Sequence, residues 1–179
     1  MSRFEEKYKQ DVVPRMRERF SYKNINAVPQ LKKITVSMGI GKAIENQKRI
    51  DAAVKDLSVI TGQKPIVTKA KKSIASFKLR EGMSVGAKVT LRGKRMYEFF
   101  DRLVSIVIPR IRDFRGFSTR AFDGRGNYSL GLTEQLVFPE VSVEDVEFVQ
   151  GLNVSLTIDR SSDEESLAFL EMFGFPFRR

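Results

Sequence analysis

Three segments of this chain alternate apolar and polar residues with a period of two, and no other feature restricts its fold as tightly. Between Leu31 and Met38, Ile34, Val36 and Met38 oppose Lys33, Thr35 and Ser37. Between Ser84 and Arg92, Val85, Ala87, Val89 and Leu91 oppose Ser84, Gly86, Lys88, Thr90 and Arg92. Between Leu152 and Ile158 the apolar set is Leu152, Val154, Leu156 and Ile158. Successive side chains on a strand point to opposite sides of the sheet, so each segment predicts a strand with one buried and one wet face. Parallel sheets buried on both faces show continuous apolar runs instead. The expectation is an α+β fold: one antiparallel or mixed sheet, covered by helices on one face and open on the other, with long basic loops.

The covering helices follow from a different period. Gln47 to Thr61 places Ile50, Ala53, Val54, Leu57 and Ile60 on one stripe, and Gly62 stops it. Lys94 to Ile108 spaces Phe99, Phe100, Leu103 and Val107 for burial and ends at Pro109. These aromatics read as packing and not as a stacking platform. The N-terminal helix spans residues 4–20 and is interrupted at Pro14. Ser162 and Glu165 form a capping box opening the last helix, which Gly174 and Pro176 end. No internal repeat or low-complexity tract appears, and 179 residues at 41% hydrophobic content suit one compact domain over 1–179.

Composition closes off several chemistries. The chain has neither Cys nor His, which removes disulfides, thiol catalysis, imidazole ligands and the usual general base. No cofactor and no metal site is expected. The longest apolar run, Leu103 to Ile108, is core-sized and far short of a membrane span, so no membrane partner is expected. Met1 to Phe20 mixes Glu5, Glu6 and Asp11 with its cations and holds no apolar secretory segment, so the expected location is cytoplasmic.

Charge supplies the functional direction. Lys64, Lys69, Lys71, Lys72, Lys78, Arg80, Lys88, Arg92, Lys94 and Arg95 fall in one stretch with a single acid, Glu81. Such crowding costs self-repulsion that a polyanion removes, whereas an ordinary soluble surface intersperses both signs. Binding nucleic acid also releases counterions from its phosphates. Residues 1–133 hold 29 Lys/Arg against 12 Asp/Glu, and residues 134–179 hold 3 against 10. The basic part predicts a nucleic-acid surface. The acidic part, 134–179, predicts a surface that avoids nucleic acid or meets a basic protein, with a solvated acidic helix explaining some of its charge.

The open sheet face would carry Lys33, Thr35, Ser37, Lys88, Thr90 and Arg92, cations and hydroxyls suited to phosphates and riboses. Sheets that stack unpaired bases expose aromatics, and these strands expose none, which favours folded RNA read by shape and backbone. Two connections are too long to be passive. Residues 68–83, TKAKKSIASFKLREGM, read as a basic extended loop or ribbon in which Ile74 and Phe77 oppose full disorder. Residues 109–131 interleave Arg110, Arg112, Arg115, Arg120 and Arg125 with Phe114, Phe117, Phe122 and Tyr128. Those arginines suit phosphates, and the aromatics either pin the loop to the core or contact bases, while Asp113 and Asp123 could pair with the arginines.

Two other classes compete. An RNA-processing or nucleotide-dependent enzyme would draw on Gly39-Ile40-Gly41-Lys42, a turn after a strand whose amides could hold phosphate. The third glycine of a dinucleotide fingerprint would fall at Ile44, however, and no Gly-Lys-Ser/Thr ending follows. An architectural DNA-binding protein fits the charge, but the most periodic helices spend their apolar stripes on burial and none resembles a recognition helix.

LSVITGQKPIVTKAKKS, FKLREGMSVGAKVTLRGKRMYEF, PRIRDFRG, FDGRGNY and FGFPFR, spread over essentially the whole chain, together resemble the bacterial large-subunit ribosomal protein five family, which binds 5S rRNA. The resemblance implies no enzyme. It implies attachment of 5S rRNA to the central protuberance alongside other 5S-binding proteins, and contact with large-subunit rRNA. It further implies contact of the loop Lys71 to Gly82 with peptidyl-site tRNA, and a bridge to small-subunit protein thirteen. Carried onto this chain, the 5S-facing residues are Lys33, Thr35, Ser37, Gln63, Lys64, Thr68, Lys69, Lys88, Thr90 and Arg92. Ser37 stands where most members have Asn, and Ala87, where many have Cys, reads as a packing change. The tRNA loop contributes Lys71, Lys72, Ser73, Ser76, Lys78, Arg80 and Gly82. Other rRNA or intersubunit contacts fall to Arg110, Arg112, Arg115, Arg120, Arg125, Glu144 and Asp145, the last two chosen by charge from the acidic segment Glu140 to Glu147.

Overall fold

Each alternating segment forms a strand, and two strands that periodicity did not announce complete the sheet. The computed structural model describes residues 2–178, apart from the side chain of Asp145. In chain order the elements are α1 (Arg3–Lys7), α2 (Val13–Phe20), β1 (Gln30–Gly39), α3 (Lys48–Thr61), β2 (Ile66–Lys69), β3 (Ser84–Leu91), α4 (Gly93–Arg102), β4 (Tyr128–Leu132), β5 (Leu152–Asp159) and α5 (Asp163–Met172). The strands make one antiparallel sheet in the order β2-β3-β1-β5-β4, with helices against it, in an α+β fold. Ile34, Val36 and Met38 on β1, Ala87, Val89 and Leu91 on β3, and Leu152, Val154, Leu156 and Ile158 on β5 are buried as expected, whereas Val85, expected inward at the start of β3, is only half-buried.

The sequence reading of three strands is corrected to five. β2 begins before the predicted loop at Thr68 and takes its first two residues. It is an edge strand whose Ile66 and Val67 are 66% and 36% exposed, so it carries no one-sided pattern to read. β4 closes the second predicted loop. Tyr128, Leu130 and Leu132 are buried between Ser129 and Gly131, an alternation only five residues long at the end of a Gly-rich stretch. Gly86, placed on the wet face of β3, is also corrected. It is buried, and a Cβ there would lie 2.4 Å from the Met38 carbonyl oxygen and 3.1 Å from Thr68 Oγ1. The sheet closes over this position and admits no side chain.

Both helical prolines are absorbed in the same way. Proline lacks an N–H and its ring crowds the carbonyl four residues back. Upstream of Pro14 the chain widens into a π turn, Tyr8–Val12, in which the Val13 amide reaches the Tyr8 carbonyl. Upstream of Pro109 the π turn Leu103–Val107 brings the Ile108 amide to the Leu103 carbonyl. The helices continue past these widened turns, α2 carrying Pro14 in its first turn and α4 running on to a 3-10 turn at Ile108–Arg110. α3 stops where expected, with Gly62 at φ 63° donating its amide to the Ser58 carbonyl over 2.9 Å. α5 opens on the expected capping box of Ser162 and Glu165.

Packing divides the chain into two compact units, the first comprising residues up to Ile34, Leu91–Leu130 and residues from Ser155, the second Thr35–Thr90 and Gly131–Val154. In the first, Phe4, Phe100, Phe169 and Phe173 form an aromatic cluster with centroid separations of 5.1–5.5 Å. In the second, the buried stripe Ile50, Ala53, Leu57 and Ile60 of α3 joins Val36, Met38, Ala87 and Val89 in the core.

Candidate nucleic-acid interface

Alternation on β1 and β3 puts their hydrophobic side chains in the core, which leaves hydroxyls and cations on the other face. In the second unit, Thr35 and Ser37 on β1 are half-buried. On the adjacent β3, Thr90 is half-buried and Lys88 exposed. β2 pairs Ile66 with Lys88 and Thr68 with Gly86, which brings the half-buried Thr68 to the same face. The register shifts between Thr68 and Lys69, so Lys69 pairs with Ser84 beyond an irregularity in the ladder, and it is exposed. Thr61 Oγ1 donates to the Leu57 carbonyl at 2.6 Å and to that of Gln63 at 3.2 Å, fixing the turn after α3. Gln63 Nε2 donates to the Thr90 carbonyl at 3.4 Å, and Lys64 beside it is exposed. Part of the Gln63 amide is therefore spent holding the turn against β3. Lys33 and Arg92 belong to the first unit, Lys33 half-buried on β1 and Arg92 exposed just past β3.

Residues 70–83 form a hydrogen-bonded ribbon. Ala70 donates to the Met83 carbonyl at 2.8 Å, and Gly82 donates to that of Ala70 at 3.0 Å. Ile74 and Leu79 exchange two backbone bonds of 2.9 and 3.1 Å. The Glu81 amide donates to Ser73 Oγ at 2.9 Å. A 3-10 turn at Ala75–Phe77 caps the ribbon, closed by Lys78 in the left-handed region at φ 52°. Lys71, Lys72, Ser73, Ser76, Lys78, Arg80 and Gly82 are all exposed. Among the described residues, the cations Lys64, Lys69, Lys71, Lys72, Lys78, Arg80 and Lys88 make no ion pair with an acid. Such cations are free to neutralise phosphates.

The arginine loop lies in the first unit. Its aromatics pin it: Phe117 stacks on Phe175 at 5.2 Å, and Phe122 and Tyr128 lie 4.7 Å apart. The Phe117 amide donates to the Pro176 carbonyl at 3.0 Å, and the Arg178 amide to that of Phe117 at 2.8 Å, so the FGFPFR segment forms the other side of the clasp. Burial raises the Tyr128 hydroxyl to about 12, and it donates to the Ser118 carbonyl at 2.8 Å. Asp123 serves Asn127 and the Arg125 amide, and Asp163 accepts from the amides of Gly124 and Gly126 at 3.1 and 2.7 Å. Gly126, at φ 76°, has Ser161 Oγ 2.4 Å from where a Cβ would sit. The FDGRGNY motif is thus a turn locked onto the start of α5. Arg110, Arg112, Arg115, Arg120 and Arg125 project from this frame as exposed side chains.

The acidic segment belongs to the second unit and is fastened from behind. Gln135, fully buried, donates to Asp56 at 3.3 Å and to the Phe148 carbonyl at 2.7 Å, and accepts from the Gln150 amide at 2.7 Å. Arg49 of α3 sits 4.2 Å from the Phe148 ring centroid. Glu144 and Glu147 are exposed, with Val143 74% exposed beside them. The Asp145 side chain lies outside the described residues. The buried Gln135 clasp has no sequence signal, because a glutamine following Thr133 and Glu134 reads like a surface residue until its distant partners Asp56, Phe148 and Gln150 are assembled.

Among the described residues no group of three or more His, Cys, Asp or Glu is placed to hold a metal ion, and no helix is long and apolar enough to cross a membrane. The family model for ribosomal protein L5 matches residues 24–80, and the model for the C-terminus of the same ribosomal family matches residues 84–177. The Large ribosomal subunit protein uL5 of Syntrophomonas wolfei is 54% identical over 178 residues, covering 99% of this chain and 100% of the relative. Those of Alkaliphilus metalliredigens and Carboxydothermus hydrogenoformans are 54% and 53% identical, each over 100% of both chains. On both domain models and on full-length identity, the chain belongs to the ribosomal protein L5 (uL5) family.

Proposed function

We propose that this chain binds 5S rRNA through the wet face of its sheet and fastens it to the central protuberance of the large ribosomal subunit. Membership in its family makes the chain a structural constituent of the large subunit and not an enzyme, located on the ribosome in the cytoplasm. The observation that carries the finer reading is the sheet face of Thr35, Ser37, Thr68, Thr90 and Lys88, which offers hydroxyls and a cation and no aromatic ring. A surface of that kind reads the backbone and 2′-hydroxyls of folded RNA. Lys33, Gln63, Lys64, Lys69 and Arg92 extend the set, with Lys64 just before β2 and Lys69 at its end as exposed cations.

Around this anchor the remaining surfaces take separate partners. The ribbon from Lys71 to Gly82, with its unpaired cations, meets peptidyl-site tRNA. The exposed arginines from Arg110 to Arg125 meet large-subunit rRNA. Other 5S-binding proteins share the assembly. The segment from Glu140 to Glu147, held by Gln135, meets small-subunit protein thirteen through its negative charge. Equilibrium binding to 5S rRNA and to a structured control RNA of the same length, across a salt series, tests the anchor. Preferential 5S binding that persists at physiological salt, and that Lys88→Ala with Thr90→Val weakens for 5S more than for the control, is the expected result. Equal, steeply salt-sensitive binding to both RNAs would overturn it.

A further inference from the structure

A groove in the second unit runs between the ribbon tip and the turn that follows β1. Its walls are mostly apolar and include Ile44, Phe77 and Val85. Lys42 and Lys78 stand on it as exposed cations, with Glu45 the one acid among its lining residues. Phe77 is 68% exposed, an unusual state for a phenylalanine in a chain that packs its other aromatics into clusters. The tip that presents Phe77 is closed by Lys78 at φ 52°, a left-handed conformation that disfavours any residue with a Cβ. Strain of this kind persists where the surroundings hold a side chain in a required place.

We propose that this groove takes an unpaired nucleotide of RNA, its base on Phe77 and its flanking phosphates on Lys42 and Lys78. Charge complementarity selects RNA over an apolar protein segment: two cations border the groove, and Lys71, Lys72 and Arg80 continue along the same ribbon. An aromatic face beside cations is the recurring arrangement for holding an unstacked base. Glu45 can accept a hydrogen bond from an amino-bearing base edge, which would favour cytosine or adenine over uracil. The sheet face and the groove then divide the work, with folded RNA read by backbone on one and a single extruded base held on the other.

The proposal rests on the reading that the ribbon meets RNA. It is tested by binding of the full chain to a hairpin RNA carrying one bulged cytosine, against the fully paired hairpin of equal length. A second hairpin keeps the bulged cytosine and carries 4-thiouridine in the base pair beside it for crosslinking. The expected result is preference for the bulge, a crosslink to the peptide containing Phe77, and a loss of about five- to hundredfold for the bulged RNA alone on Phe77→Ala. Phe77→Tyr should restore binding and Phe77→Leu should not. If Phe77→Ala leaves bulge preference intact, or Leu serves as well as Tyr, the groove does not hold a base and is left for an apolar protein side chain. If Lys71→Ala with Lys72→Ala leaves both RNAs bound as tightly as before, the ribbon reading itself fails. Weakening of both RNAs by the lysine changes but of neither by Phe77→Ala sinks only the nucleotide proposal.

Discussion

Glu165 closes the capping box of α5 and also accepts a hydrogen bond from the Tyr22 hydroxyl. Burial works against its charge, yet the bonds from Tyr22 and Ser162 outweigh it and hold its carboxyl below the usual glutamate value. Tyr22 is pushed the other way, by burial first and then by the carboxylate it faces. A depressed carboxylate pKa contributes stability that is complete above the unfolded value, about 4.3, and is lost as pH falls through the folded value. Glu165→Gln keeps the shape and removes the titration. Melting temperature followed from neutral pH to below about pH 4 should therefore fall less steeply in Glu165→Gln than in the parent, and identical slopes would show that this carboxyl is not coupled to folding. Ser162 and Glu165 were legible in the sequence because a capping box is a local spacing. Tyr22 was not, because it lies 143 residues from its partner.

Elements show the same division between local and distant causes. The one-sided strands β1, β3 and β5 announced themselves because a buried face imposes a period of two. β2 did not, since an edge strand with Ile66 and Val67 exposed has no inside to alternate against. Pro14 and Pro109 were readable as interruptions, but the π turns that let the chain continue around them depend on what each helix packs against. The ribbon was readable as basic and long, whereas its ladder from Ala70 to Met83 and its tip at Lys78 came from pairing. Its separation from the sheet face has a measurable consequence. Lys71→Ala, Lys72→Ala and Lys78→Ala together should leave 5S rRNA affinity within about threefold at physiological salt, since exposed cations away from a site act only through screened charge. The same variant should lose peptidyl-tRNA more rapidly from assembled ribosomes, measured by filter-binding dissociation. Equal loss of both would make ribbon and sheet one site.

At the scale of the molecule, the charge split between residues 1–133 and 134–179 partly dissolves into structure. Asp163 and Glu165 are spent on the FDGRGNY turn and the helix cap, so the acidity of α5 is in good part architectural. Glu134, Glu164 and Glu171 stay exposed singly, and the segment with Glu144 and Glu147, carried on the Gln135 clasp, exposes a second group of acids. Glu144→Lys with Asp145→Lys should leave folding and 5S binding unchanged, because Glu144 is exposed and Asp145 adjoins it, and should slow subunit joining measured by light scattering. Unchanged joining would remove the segment from the intersubunit contact.

The sequence alone determined the class of fold, most of the inward and outward positions of three strands, the helix stop at Gly62, the cap at Ser162, and the basic character of the face and ribbon. All of these are consequences of spacing within about ten residues, where burial and capping leave a period or a motif. The tertiary structure decided the rest: the two short strands, the closeness that excludes a side chain at Gly86, the clasp of Gln135, and the meeting of Phe77 with Lys42 across the groove. Each depends on residues far apart in the chain whose proximity only the folded backbone creates.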